Sequence, residues 1–394
     1  MQDPRRSLSL TTRVTLWLFL ALVALSLGLH LSQLLPGLVT FVTGVLLGMT
    51  LHAMHYGFRS CSHALLQGGH TLGLRTLLWM LALASVLFFG LLAWQPGPEP
   101  MTGMIQPLSL AVVIGAFAFG IGMQLGHGCT SGTLNKLGQF QPLSMWSFLG
   151  LLIGGTLAAW QIDFWRSLPA LAPITLFRAD APIGSLLTQL TLLALLYAWV
   201  TRLERRRSGQ VQPLIHRRIW QVTHWHPWLL AAVSLACLNA WILYTTGRPW
   251  TLANVFPYWG LSIADASGLA SWLQWDWPFW SYAIAHQQRL SQPILSDDVS
   301  LVALGLIAGA LLVSLIHAPG KRFSAHPFKW RLAHGLALIG GVLMGYGALI
   351  AYGCNIGAFF SGIASGSLHG WLWAVAALGG SRIGLGLLRA SGQR

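Results

Sequence analysis

The sequence predicts an all-α polytopic membrane protein, an inverted-repeat helical bundle with broken, re-entrant half-helices that carry Gly-Cys-x-x-Gly motifs. Three observations carry that expectation. Of 394 residues 55% are apolar and only 8% charged, against roughly 25% charged in a soluble domain. Apolar runs of about twenty residues, the length a helix needs to cross hydrocarbon, recur along the whole chain. A pattern of glycines with one cysteine in the first half returns in the second at a constant offset.

The runs define ten candidate spans, at 14–35, 38–56, 72–94, 108–126, 143–160, 183–201, 227–247, 299–317, 332–351 and 370–388. The first follows Arg5 and Arg6 as a secretory signal would, yet no small-residue cleavage site follows it and Leu29 to Gly37 continues apolar, which favours a transmembrane helix. Orientation follows from the excess of Lys and Arg in cytoplasmic loops. With the N-terminus inside, both termini are cytoplasmic, and Arg59, Arg75, Lys136, Arg202, Arg205, Arg206, Arg207, Arg217 and Arg218 fall on the inner side. Glu99, Asp163, Asp265 and Asp297 fall outside. The Arg-rich stretch 202–226 then joins a first membrane half, 1–201, to a second, 227–394, as a basic cytoplasmic linker.

The net charge of +14 would suggest a nucleic acid in a soluble protein. Here it is topological, so the lipid bilayer is the expected partner and nucleic acid is not. The outer stretch 248–298 holds Trp250, Trp259, Trp272, Trp275, Trp277 and Trp280, an interfacial aromatic belt before it is a binding surface. It has length for one or two short re-entrant helices.

At an offset of 225 residues, Gly115, Gly120, Gly122, Gly128, Cys129, Gly132, Gly154 and Gly155 fall on Gly340, Gly345, Gly347, Gly353, Cys354, Gly357, Gly379 and Gly380. By the topology above, the span before Cys129 runs inward and the span before Cys354 outward, so the copies are inverted. Inverted repeats with Gly-broken helices are an architecture of secondary transporters, whose breaks line a substrate site near the midplane. Close helix packing accounts for most of these glycines, but not for a cysteine at the same break in both copies. The segments 130–142 and 355–369 are too short or too polar to span. Folded back as half-helices, they would aim their first N–H groups at Cys129 and Cys354 and favour an anion there.

A thiol in that position has three uses open to it: a weak S–H donor to a soft anion, a thiolate nucleophile, or a small buried apolar residue. Cys237, without a repeat partner, is assigned the last. A disulfide between Cys129 and Cys354 is disfavoured, and no C-x-x-C pair suggests zinc or dithiol chemistry. No metal or cofactor is expected. His52, His55, His63, His70 and His127 gather near inner span ends, where a histidine can carry protons or simply be solvated. His127, preceding Gly128-Cys129, is the best candidate among them. No Asp or Glu lies within a span, so coupling falls to a histidine, a thiol or the electrical gradient. Arg59 is either an attractor for the anion or a snorkelling cation.

At these residues the sequence resembles the YeeE/YedE family of bacterial inner-membrane proteins, also called the sulphur transport family. Gly128-Cys129-Thr130-Ser131-Gly132 and Tyr352-Gly353-Cys354-Asn355-Ile356-Gly357 look like its two cysteine motifs, and the run Ser365-Gly366-Ser367-Leu368-His369-Gly370-Trp371 is specific to it. The resemblance implies an hourglass-like bundle that imports thiosulfate or a related sulfur anion, passed along by S–H hydrogen bonds. It makes Cys129, Cys354, Gly128, Gly132, Gly353, Gly357, Asn355 and His127 the candidate site. Some relatives are linked by name to selenium. The thiosulfate carriers of the family have a third cysteine in a motif resembling Arg-Gly-Arg-Phe-Cys; here Gly57 stands at that position and Cys61 follows four residues later, one helical turn on the same face. Cys61 either replaces the missing thiol or is incidental.

The expected function is therefore an inner-membrane transporter or channel for a small sulfur-containing anion, not an enzyme. The alternatives are a selenium-compound or sulfite transporter, a membrane-embedded thiol enzyme working through a persulfide, and a scaffold for a sulfur-handling partner. A cytoplasmic sulfur-carrier protein is a further candidate partner.

Overall fold

The computed structural model describes residues 10–32, 35–209, 211–215, 225–272, 281–317 and 331–392. Among them, nine helices are long and apolar enough to cross a membrane. The protein is a multi-pass membrane protein.

The first repeat copy comprises α1 (Leu10–Ser32), α2 (Pro36–Ala53), α3 (Phe58–Gly68), α4 (Leu72–Trp94), α5 (Leu110–Leu125), α6 (Thr130–Gly138) and α7 (Pro142–Trp160). A short α8 (Ile162–Ser167) and α9 (Pro182–Ser208) lead to the linker. The second comprises α10 (Pro227–Thr246), a cluster of short helices α11 (Val255–Ala266), α12 (Leu269–Trp272), α13 (Ser281–Ala285) and α14 (Gln287–Leu290), then α15 (Asp298–His317), α16 (Leu332–Ile350), a π-helical turn (Asn355–Ser361), α17 (Gly362–Ala364) and α18 (Leu368–Ala390). Proline starts α2, α7, α9 and α10, where its missing N–H costs nothing. A two-residue pair, β1 (Leu108–Ser109) with β2 (Ala170–Leu171), closes one loop.

At the centre, α5 and α16 run antiparallel with their backbones touching: a Cβ on Gly115 would lie 2.6 Å from the Gly347 carbonyl, and one on Gly122 would lie 2.4 Å from that of Gly340. Small residues give this close approach in lipid, where apolar side chains gain little by leaving one apolar medium for another. Around this pair the contacts are reciprocal. Helix α5 packs on α18 as α16 packs on α7, α2 on α15 as α10 on α4, and α6 on α15 as α17 on α4. The two copies thus interlock, each supplying the other's neighbours.

Three expectations are revised. Trp250 and Trp259 are buried in the core: the Trp250 main-chain N–H donates to Asn239 Oδ1 at 2.8 Å while its Nε1 has no partner, and Trp259 Nε1 donates to Ser300 Oγ at 2.9 Å. Of the three described, only Trp272 is exposed; Trp275, Trp277 and Trp280 lie outside the described residues. Cys237 is on the exposed face of α10 rather than buried. Helix α9 continues into the basic stretch as far as Ser208, anchored by a buried pair: Glu204 lies 3.1 Å from Arg75 and accepts from the Thr71 hydroxyl. Arg217 and Arg218 lie outside the described residues.

Candidate functional site: two cysteine-capped breaks and a cationic cavity

Each break has the same backbone design. His127 and Tyr352, equivalent in the repeat, both take left-handed conformations, with φ of 55° and 57°. The chain turns there out of α5 or α16 and becomes extended at the cysteine, with φ of −82° at Cys129 and −85° at Cys354. Each cysteine then caps the next helical segment. The Cys129 sulfur accepts from Gly132 N–H at 3.4 Å, and that of Cys354 from Ile356 N–H at 3.4 Å. Helix N-termini leave N–H groups without intrahelical partners, and here a sulfur takes one of them. The sequence expectation that each half-helix starts at its cysteine is met, although the second begins as a π-helical turn.

All four cysteines are free thiols, and Cys61, Cys129 and Cys354 are buried. Cys129 is close enough to both Cys61 and Cys354 to interact with them electrostatically. The Thr130 hydroxyl lies within hydrogen-bonding reach of Cys354. Buried Asn355 has partners for neither its Nδ2 nor its Oδ1, and the Thr133 hydroxyl is likewise unsatisfied. Buried polar atoms in this state are rare and call for an explanation such as water or a ligand.

A cavity of about 240 Å³ ends at Cys129. Exposed His55, Ser60 and Gln141 lie at its rim, where α2 ends and α3 and α7 begin. Its wall includes His52, Arg59, His127, Asn135 and Lys136, and its floor Gly128, Cys129, Ser131 and Gly132. Arg59 Nη2 is 3.5 Å from His127 Nδ1, and Lys136 Nζ donates to the His127 carbonyl. Arg59 therefore faces the cavity rather than the headgroups. Asn135 Nδ2 donates to the Gly48 carbonyl at 2.9 Å, tying α6 to α2.

Of the nine candidate residues, Gly128, Gly132, His127 and Cys129 line this cavity. Cys354, Asn355, Gly353 and Gly357 lie beyond it, in the tightly packed second break. Gly353 has φ of 158° and a Cβ there would come 2.5 Å from Ala358 N; a Cβ on Gly357 would meet Thr251 at 3.3 Å. Cys61 does not line the cavity. Its sulfur packs on α4, 2.8 Å from where a Cβ of Gly73 would stand. Gly57 does line it, and a Cβ there would meet only Ser60 Oγ at 3.5 Å. Sequence reasoning missed Lys136, Asn135, Thr130 and Thr133 as site residues. Lys136 stands one turn after Gly132, so helical spacing alone could have brought it to the same face.

The sulphur transport family matches residues 53–383, a stretch holding both cysteine breaks and most of the cavity wall. The chain belongs to that family. Its relatives include the thiosulfate transporter TsuA of Spirochaeta thermophila, 25% identical over 354 residues, covering 85% of this chain and 93% of that protein. The Escherichia coli protein of the same name is 25% identical over 313 residues, covering 73% and 74%. The probable transporter YedE of Escherichia coli is 29% identical over 168 residues, 43% of this chain, and the match spans only 39% of the length of YedE. Both cysteine breaks described above lie inside the matched region.

Proposed function

We propose that the protein imports a thiosulfate-like anion across the bacterial inner membrane, past Cys354 and then Cys129, with both termini and the basic linker on the cytoplasmic side. The observation that carries this reading is the pair of equivalent breaks, each with a buried thiol at its turn and within electrostatic reach of the other. A thiol is a weak donor that a soft sulfur anion accepts without demanding full rehydration. The relatives named thiosulfate transporters, one of them covered almost end to end, support this substrate. In this reading Cys129 and Cys354 are the relay, Asn355 and Thr130 supply further donors between them, and His127 orients the cations. Gly128, Gly132, Gly353 and Gly357 shape the turns. Cys61 buttresses α3 against α4 from behind the wall. A cytoplasmic sulfur-carrier protein would receive the anion at the cavity mouth.

Uptake of labelled thiosulfate into proteoliposomes tests this. The wild type should accumulate label, Cys129→Ala and Cys354→Ala should lose uptake by about tenfold or more, and Cys61→Ala should retain it. Wild-type vesicles that move no thiosulfate would refute the reading.

A further inference from the structure

Two cations share the cavity that ends at Cys129, and among the described residues no carboxylate lines it. Arg59 comes from α3 and Lys136 from α6, and they lie within electrostatic reach of each other. The ion pairs among the described residues, Arg75–Glu204, Arg178–Asp180 and Arg289–Asp297, are all elsewhere, and no Asp or Glu lines the cavity. Among the described residues, Arg59 is met by the imidazole of His127 and Lys136 by the His127 carbonyl. Arg59 Nε is buried with no hydrogen-bond partner. Cations withdrawn from water are ordinarily paired, since desolvation is otherwise uncompensated, and two like charges in a site of reduced dielectric add repulsion to that cost.

We infer that Arg59 and Lys136 make this cavity selective for a doubly charged anion over a singly charged one. The inference rests on the transport reading above and names its substrate class. A dianion neutralises both cations, whereas a monoanion leaves one uncompensated. The volume of about 240 Å³ suits a small tetrahedral ion with a few waters, each taking roughly 30 Å³. In the second copy, Ser361 occupies the position equivalent to Lys136 and Tyr352 that of His127, so the charge belongs to the first break alone. A dianion that has crossed the neutral second break meets its strongest attraction only at Cys129.

The test is binding to the purified full-length protein at fixed ionic strength, with thiosulfate and sulfate as dianions and thiocyanate as a sulfur-bearing monoanion. Wild type is compared with Arg59→Gln, Lys136→Gln, Cys129→Ala and the charge-preserving Arg59→Lys and Lys136→Arg. Each Gln variant should weaken both dianions by about tenfold or more and thiocyanate by about threefold or less, with the charge-preserving variants near wild type. Equal losses for both charge classes, or wild-type protein that binds thiocyanate as tightly as thiosulfate, would overturn the inference. Should the Gln variants misfold, the wild-type ranking of the anions and the charge-preserving variants still decide it. Cys129→Ala separates the two readings: unchanged thiosulfate binding there counts against the thiol relay, while the charge ranking stands or falls independently.

Discussion

The two cysteine breaks share backbone geometry but not surroundings. At Cys129 the chain opens onto a cavity with Arg59, Lys136, His52 and His127 in its wall. At Cys354 the equivalent space is filled: Phe360 and Ser361 are fully buried, and Ser361 donates to the Trp250 carbonyl at 2.8 Å while accepting from Asn239 at 3.0 Å. Trp373 Nε1 donates to the Gly353 carbonyl at 3.1 Å, fastening the second turn to α18. The repeat therefore fixes where the thiols stand, and the divergence of residues 130–136 from 355–361 decides which side has an open, charged vestibule. One pair of matched loops yields one open, charged break and one closed break.

Exchanging the differing residues should break the contrast most strongly. Ser361→Lys forces a cation into the buried site now closed by Asn239 and the Trp250 carbonyl and should cost about 3–5 kcal/mol of stability, read as a large fall in melting temperature. Lys136→Ser should leave stability nearly unchanged and act on anion binding instead. If Ser361→Lys is tolerated, the second break is wetter than its packing indicates.

A smaller effect sharpens the comparison at the turns. Gly353→Ala puts a side chain into a left-handed backbone and against Ala358 N, for a loss of about 1–3 kcal/mol. At Gly128 the nearest atom to a new Cβ is Thr133 Oγ1 at 3.3 Å, and Gly128→Ala should cost under about 1 kcal/mol. Matched thermal unfolding of the two variants reads the difference.

Gly57→Cys probes the wall directly. With open space at that position, the new thiol should react with a charged, membrane-impermeant thiol reagent added on the side of the cavity rim, without loss of stability. Cys61, sealed against Gly73, should stay unmodified. Labelling of Cys61 in the wild type would move it into the path.

The smallest expected effect concerns the ion pairs that tie the copies' peripheral segments. Arg75–Glu204 holds the start of α4, and Arg289–Asp297 holds the residue before α15, its counterpart in the second copy. Burial by itself raises the Asp297 pKa, but hydrogen bonds from Arg289 and Ser300 outweigh it and hold the carboxyl below its ordinary 3.8. A group depressed on folding stabilises the fold above its unfolded pKa and stops doing so as pH falls through its folded one. Stability from this pair should thus persist at neutral pH and disappear below about pH 4. Asp297→Asn should remove about 1 kcal/mol at pH 7, discounted for its partial exposure, and flatten the acid limb of a melting-temperature profile.

Much of this was legible in the sequence, for identifiable reasons. Apolar length marks a span whatever it packs against, and a Gly-Cys pair repeated in register marks a break because few other roles need both residues. The burial of Trp250 was not legible, since a tryptophan in an interfacial belt and one packed in the core have the same composition around them. Cys237 went the other way: on a helix in lipid the exposed face is as apolar as the buried one, so hydropathy could not tell which side it took. The convergence of Arg59 and Lys136 was hidden as well, because they come from separate helices and meet only through tertiary packing at His127.

The glycine contacts between α5 and α16 set what this architecture can become. With carbonyls of each helix within 2.6 Å of where the other's methyl groups would stand, the central pair resists both sliding and substitution. Residues 355–361 are packed almost as closely, whereas Gly132, Asn135 and Lys136 border the open cavity. New ligands can be sought by redrawing the cavity wall at Arg59, Gly132, Asn135 and Lys136, leaving the central helix pair untouched.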